Sequence, residues 1–468
     1  MNKKCQVFTP KNYVEKLLDS IGYTCDLYGR TILENSCGDG NVLRVIVQRY
    51  IDDCKQKGLS RTKIRNGLSK DVYGVEIDSE QYKKCINKLD EIVRNNNVLP
   101  VKWNIKNSDY LKINENVKFD YIVGNPPYIA YSELSKTDQS YLKHTFESCK
   151  KGKFDYCYAF LEKSINSLSA EGRMAYLVPS SVYKTVFGQT IRDIMLPFVD
   201  EVIEYTQEKL FNDALVKSSI LVINKAKSKS NILYRDESVG TVASISSDLL
   251  GDKWVFTRTN TGARVFGDYF KVSHAVATLC NEAFVLKEWQ FDNDNNYVCG
   301  GYVLEKALVR DAISPKSMRN GRKEKIVFPY NYDKNHNLVR YNEDDFKCRF
   351  PGVFEYLDQF RDKLDERDSD LASKWFEFGR SQALNHLDCE KALTSTIISN
   401  KVVIYRLSQN TIPYAGMYIT AITEQLTIDD AIDILHSDTF LEYARTVGIP
   451  INGNSFRITS KDIENYLF

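Results

Sequence analysis

Over the first half of the chain, short apolar runs that end in polar or glycine-bearing turns alternate with segments whose apolar positions recur at helical spacing. Thr31-Ile32-Leu33, Val72 to Asp78, Trp103 to Asp109, Phe119 to Val123, Arg173 to Pro179, Val199 to Tyr205 and Leu215 to Ile223 predict strands. Helices are predicted at Tyr13-Val14 with Leu17-Leu18, at Val42 to Val47, and from Phe154 to about Leu168. Thr9 and Pro10 sit where the first of these would be capped and started. Strand, turn and helix in alternation predict an α/β fold with a mostly parallel sheet, which binds ligands at the carboxyl ends of its strands. The charged stretch Lys225 to Asn231 and the strand-like Ile232-Leu233-Tyr234 place a domain boundary near residue 240, giving domains 1–240 and 241–468. The second mixes both periods.

The strand ends carry the chemistry. Phe119 to Val123 stops at Gly124 and delivers Asn125-Pro126-Pro127-Tyr128. Each proline fixes φ and lacks an N–H, and Pro126 excludes the helical region for Asn125, so this backbone is stiff. The Asn125 side-chain oxygen and the Pro126 carbonyl can together accept both hydrogens of an exocyclic amino group, while the Tyr128 ring offers a stacking face. The turn Glu34-Asn35-Ser36-Cys37-Gly38-Asp39-Gly40 joins a strand to a helix, and its glycines permit close ligand approach without the dinucleotide G-x-G-x-x-G pattern. Glu76, at the end of the next strand, can accept both hydroxyls of a ribose, with Ile77 packing on the base; Asp78 is the expected cap of the following helix. A third strand ends in Asp109-Tyr110, where Asp109 is also a candidate helix cap.

Taken together, these segments resemble the TaqI-like, gamma-order N6-adenine DNA methyltransferases of restriction–modification systems. The resemblance implies a class I, Rossmann-like S-adenosylmethionine-dependent catalytic domain followed by a mixed α/β target-recognition domain. It implies that Thr9, in a segment resembling motif X, and Glu34, Ser36, Gly38 and Gly40, in motif I, line the methionine end of S-adenosyl-L-methionine. Glu76 and Ile77 then match motif II, Asp109 and Tyr110 match motif III on the adenine ring, and Pro127 borders the cofactor. Asn125, Pro126 and Tyr128 become the catalytic group. Ser180 to Gly188 corresponds to the segment that supplies a second aromatic against a flipped base, with Phe187 first and Tyr183 second. In the C-terminal half, Val272 to Val285, Ile326 to Tyr330 and Trp375 to Arg380 resemble the target-recognition region. The loop from Ser314 to Lys325 places Lys316, Arg319, Arg322 and Lys323 as candidate DNA contacts.

Composition narrows this without overturning it. With 468 residues, 43% hydrophobic and 27% charged, the chain is globular, and a net charge of +1 gives no basic field spread over the whole molecule. Eleven cysteines lack C-x-x-C pairs, which predicts reduced thiols, no metal and a cytoplasmic location. No signal peptide or membrane span is expected. The expected partner is double-stranded DNA. Because the chain starts almost at the motif X segment, cleavage would belong to a separately encoded restriction endonuclease. RNA adenine methylation and protein-glutamine methylation use the same Asn-Pro-Pro-Tyr fork; the bulky region behind the fold argues against the latter.

Overall fold

The computed structural model describes residues 9–98, 100–114, 116–205, 218–227, 230–257, 262–451 and 454–468. One compact unit ends at Phe256 and a second begins at Thr257.

The first unit is built on nine strands: β1 Ile32–Glu34, β2 Val72–Glu76, β3 Asn104–Asn107, β4 Phe119–Gly124, β5 Leu168–Pro179, β6 Val199–Glu204, β7 Ser218–Asn224, β8 Asn231–Asp236 and β9 Thr241–Ser246. Their order is β3-β2-β1-β4-β5-β7-β6-β8-β9. β1 pairs in parallel with both β2 and β4, and β4 in parallel with β5. Because these strands are covered on both faces, their sequences are apolar runs rather than alternating ones; in β7 every residue from Ser218 to Ile223 is buried. Helices α1 (Lys11–Ser20), α2 (Asn41–Gln56), α3 (Arg61–Asp71) and α4 (Ser79–Asn95) contribute to one core, with Leu17, Ile46, Leu68 and Leu89 fully buried. Helices α5 (Lys136–Thr145), α6 (Cys157–Ser167) and α7 (Gln189–Met195) contribute to the other, with Leu142, Leu161 and Ile191 buried. This is the class I methyltransferase architecture. The strand order reverses between β1 and β4, which places the ligand crevice at their carboxyl ends, where Ser36 and Asn125 lie.

Three expectations change. The unit runs past residue 240 because β9 pairs with β8 from Thr241↔Asp236 to Ser246↔Asn231, and beyond it Trp254 stacks on Tyr183 at 5.9 Å and Phe256 on Tyr234 at 5.1 Å. The resemblance implies that the strand predicted at Leu215 to Ile223 is an antiparallel edge; β7 is antiparallel, yet it is interior, lying between β5 and β6, and the edge passes to β8 and β9. Thr9 does not cap α1, whose first turn starts from Pro10 without a side-chain cap. Residues 1–8, which include Phe8 of the motif X segment, and 215–217 of the strand predicted at Leu215 lie outside the described residues.

The second unit contains two four-stranded sheets among its strands. One orders Phe270–His274, Met417–Ala421, Lys391–Thr394 and Ile404–Leu407; the other orders Val285–Leu286, Glu324–Val327, Val309–Ile313 and Thr411–Pro413. The three segments singled out in the sequence meet here. Arg380 N donates to Ala277 O at 3.1 Å, Phe378 N donates to the Tyr330 hydroxyl at 2.7 Å, and Phe378 packs edge-on against Phe328 and Phe284. Among the described residues no helix is long and apolar enough to cross a membrane.

Candidate active site

The turn after β1 is stitched to β2. Cys37 N donates to Val75 O at 3.0 Å, and Glu76 uses one carboxylate oxygen for Gly38 N and the other for Asp78 N, both at 2.8 Å. Gly40, at φ +88°, is needed for packing: a Cβ there would stand 2.8 Å from Cys85 Sγ on α4. Gly38, at φ +52°, faces open space, with nothing within 4 Å of the corresponding Cβ. Beside this opening, the Glu34 carboxyl is buried at 3% exposure, its Oε2 without a partner among the described residues, and burial pushes its pKa well up. A buried acceptor without a donor and an open glycine cradle suit the ammonium and backbone of an amino-acid-like ligand, so the residues present fit the methionine end of S-adenosylmethionine. Each Glu76 oxygen keeps a lone pair for a ribose hydroxyl, and Ile77 is 43% exposed at the strand end.

Asp109 caps a single 3-10 turn, Tyr110–Lys112, through Leu111 N at 3.0 Å, and pairs with Lys112 at 3.3 Å. Both of its sequence readings therefore remain compatible: one oxygen caps while the carboxylate stays at the strand end. Lys163 on α6 fixes the same turn by donating to the carbonyls of Tyr110 and Ile113, both at 2.6 Å. Tyr110 is a correction. Its ring is 6% exposed, tilted against Phe160 at 5.4 Å, with Lys163 Nζ 4.8 Å above it, so it supports the core rather than flanking a ligand ring.

At the end of β4 the fork is held from two sides. Ser36 Oγ donates to the Asn125 carbonyl at 3.1 Å, and Asn125 Nδ2 donates to Thr9 Oγ1 at 3.4 Å. Ser36 and Thr9, read from the sequence as cofactor contacts, are here contacts of the fork, and they tie the turn after β1 and the segment before α1 to Asn125. Nδ2 donates to Thr9, and an amide's acceptor is its oxygen, Oδ1. Pro126 is buried, while Asn125, Pro127 and Tyr128 are partly exposed. The Tyr128 hydroxyl end is buried, and that burial pushes the phenol well above its usual pKa. Phe187 is 46% exposed and its ring lies directly on Gly152, whereas Tyr183 is fully buried, bonded to Ser219 at 2.9 Å and stacked on Trp254. The structure thus leaves Phe187, and not Tyr183, as an available aromatic face.

Beneath the fork lies a hydroxyl–amide cluster that the sequence reading missed. Asn35 Nδ2 donates to Ser164 Oγ at 2.9 Å and to the Tyr176 hydroxyl, and Ser164 meets Tyr176 at 2.7 Å. A Cβ at Gly124 would lie 3.6 Å from Asn35 Oδ1 and from Tyr176 Cε1, so the cluster backs the strand end directly. No local signal marked it: Asn35 and Ser164 stand among other polar residues, and Tyr176 in an apolar run. Asp155 was also missed: burial raises its carboxyl to about 6, while it accepts from Cys157 N at 3.0 Å.

In the second unit, Lys316, Arg319, Arg322 and Lys323 are all exposed on and after a short helix, Pro315–Arg319, that Ser314 and Ser317 cap reciprocally. None of the four has a carboxylate partner among the described residues. Lys325 differs: it pairs with Asp311 at 2.8 Å and lies over Tyr297 at 5.2 Å. Among the described residues no three His, Cys, Asp or Glu side chains are grouped so as to hold a metal ion.

Residues 46–211 match the Eco57I restriction-modification methylase family. The chain is 25% identical over 411 residues to the type II restriction enzyme and methyltransferase RM.Eco57I of Escherichia coli, covering 72% of this chain and 41% of that protein. It is 29% identical over 230 residues to the modification methylase CviBIII of Paramecium bursaria Chlorella virus NC1A, covering 49% and 52%. The chain thus spans about half the length of the curated relatives it matches, or less. Among solved structures, the type IIL restriction-modification enzyme MmeI in complex with DNA superposes with a TM-score of 0.59 at 16% identity, over 97% of this chain and 64% of that one. A nuclease-deletion mutant of the type ISP enzyme LlaGI with a DNA substrate mimic gives 0.59 at 12% identity, over 98% and 46%.

Proposed function

We propose, from the match of residues 46–211 to the Eco57I restriction-modification methylase family, that the chain transfers a methyl group from S-adenosyl-L-methionine to N6 of an adenine flipped out of duplex DNA. The observation that carries this is the fork: an Asn125 whose carbonyl is held by Ser36 and whose amide nitrogen is held by Thr9, beside the Pro126 carbonyl and the Tyr128 ring. The cofactor supplies an electrophilic methyl on a sulfonium, and Glu34, Gly38, Gly40, Glu76, Ile77, Asp109 and Pro127 would hold it.

An adenine amino group is paired inside a duplex, so the nucleotide must be extruded at a cost of a few kcal/mol. Stacking on Tyr128 and Phe187, at about 1–3 kcal/mol per base, offsets that cost. Asn125 Oδ1 and the Pro126 carbonyl accept the two N–H bonds of N6, which draws its lone pair out of conjugation and aims it for attack. Asn125 acts as acceptor and positioner, because an amide does not take up a proton near neutrality. Lys316, Arg319, Arg322 and Lys323 bind the DNA backbone. In this reading the chain is the modification component of a restriction–modification system, working against a restriction endonuclease activity in the cytoplasm.

The test is transfer of radiolabelled methyl to duplex DNA, RNA and a release-factor protein in parallel, with nucleoside analysis of the product. Label recovered as N6-methyladenine in DNA is the expected result. Label in RNA or protein alone would keep the fork and refute the DNA reading.

A further inference from the structure

Three other arginines, one buried and two not, bond to acceptors. Arg192, 1% exposed, donates to the carbonyls of Val182, Thr185 and Asp252; Arg367 donates to those of Thr278, Trp375 and Glu377; Arg340 clasps the Glu377 carboxylate. Arg310 departs from this. It lies on Val309–Ile313, a strand of the second unit, with its guanidinium 4.3 Å over the Phe328 ring and 5.7 Å from that of Tyr332. It is only partly exposed, and burial holds its pKa below the usual arginine range. Yet it has neither a hydrogen bond nor an ion pair among the described residues. The carboxylate acting on it, Asp388, is already taken by His336 at 2.7 Å and Gln409 at 3.0 Å. Its nitrogens are not among the buried atoms lacking a partner, so its donors reach solvent.

Partial burial strips some of this cation's hydration, and two aromatic faces return only part of that cost, while its donors stay open to an incoming acceptor. A guanidinium kept in one plane, with its N–H fork unused, is set up for two acceptors on one flat edge. Guanine presents such a pair, O6 and N7, in the major groove, and arginine is its commonest reader. Phosphates make weaker demands on orientation, and the exposed Lys316, Arg319, Arg322 and Lys323 already suit them. We propose that Arg310 is a specificity-determining residue that reads a guanine of the recognition sequence, held for that purpose against Phe328 and Tyr332. This rests on the DNA methylation reading above.

The experiment maps methylated positions, by sequencing modified plasmid DNA, for the wild type, Arg310→Lys, Arg310→Gln and Arg310→Ala. Binding to a short duplex is measured against salt concentration, and thermal melting is followed for each variant. The expected result is a wild-type site containing a required guanine, with discrimination at that one position falling roughly 5- to 150-fold in Arg310→Gln while other positions keep theirs. Arg310→Lys retains charge and stem packing, so it separates lost reading from lost folding, and it should relax the same position. A uniform loss across sequences, with the salt slope reduced by about one, would make Arg310 a phosphate contact and overturn the guanine reading. An unchanged site and slope with a lowered melting temperature would make it structural and overturn it equally. A wild type that modifies no DNA refutes the underlying function, and this inference falls with it.

Discussion

Gly152 offers a way to move the Phe187 ring without touching it. At φ +68° the glycine lies under that ring, and an added Cβ would stand 2.0 Å from Phe187 Cδ1, 2.2 Å from Cε1 and 2.7 Å from Cγ. Ordinary contact begins near 3.4 Å, so in Gly152→Ala the ring must retreat by more than an ångström. The substitution adds about 1 kcal/mol of backbone strain, because L-residues rarely adopt that φ. If Phe187 stacks on the extruded base, losing it forfeits about 1–3 kcal/mol, or roughly a 5- to 150-fold fall in kcat/KM. The assay is methyl transfer to a short duplex by the wild type, Gly152→Ala, Phe187→Ala and the double variant, with cofactor affinity followed by calorimetry. Each single change should fall in that range with cofactor affinity preserved, and Gly152→Ala should add little beyond its backbone strain once Phe187 is gone. Placing the target adenine opposite a mismatch lowers the extrusion cost and should narrow the deficits. Equal losses from Gly152→Ala with and without Phe187 would refute the reasoning, since the loop and not the ring would then be responsible.

Three further outcomes are expected. Asn125→Ala and Tyr128→Ala should abolish methyl transfer while keeping cofactor binding, and Asp109→Ala should weaken it; calorimetry showing unaltered affinity in Asp109→Ala would remove Asp109 from the cofactor site. Asp155, with its carboxyl raised to about 6 from 3.8 by burial, binds more protons folded than unfolded between those values, so its contribution to stability falls as pH rises through that window. Asp155→Asn keeps an acceptor for Cys157 N and does not ionise, so its advantage in thermal melting should grow from about pH 4 to about pH 6, by on the order of 2 kcal/mol; an advantage constant with pH would show that the carboxyl titrates normally. Neutralising Lys316, Arg319, Arg322 and Lys323 together should flatten the dependence of log affinity on log salt by about 3 to 4, whereas an unchanged slope would mean that they meet no phosphate.

The sequence alone determined the apolar strands, because strands covered on both faces must be apolar throughout, and it determined the residues at their ends, where a turn, a fork and carboxylates stand out against that background. From it came the α/β class, the Asn125 to Tyr128 fork, Glu76 at the end of β2, and Asp78 as a helix cap, which the structure has accepting from Glu80 N and Gln81 N. What a side chain touches across the fold was not legible, since those partners lie far apart along the chain. Ser36 and Thr9 were read as ligand contacts on motif position, and only packing brings them to Asn125, 89 and 116 residues away. Tyr110 and Tyr183 looked as available as Phe187, because an aromatic residue carries the same local signal whether its ring is sealed or exposed. The place of β7 inside the sheet, the run of the first unit to Phe256 and the place of Arg310 over the Phe328 ring were likewise decided by tertiary structure, through strand pairing and burial that no local pattern encodes.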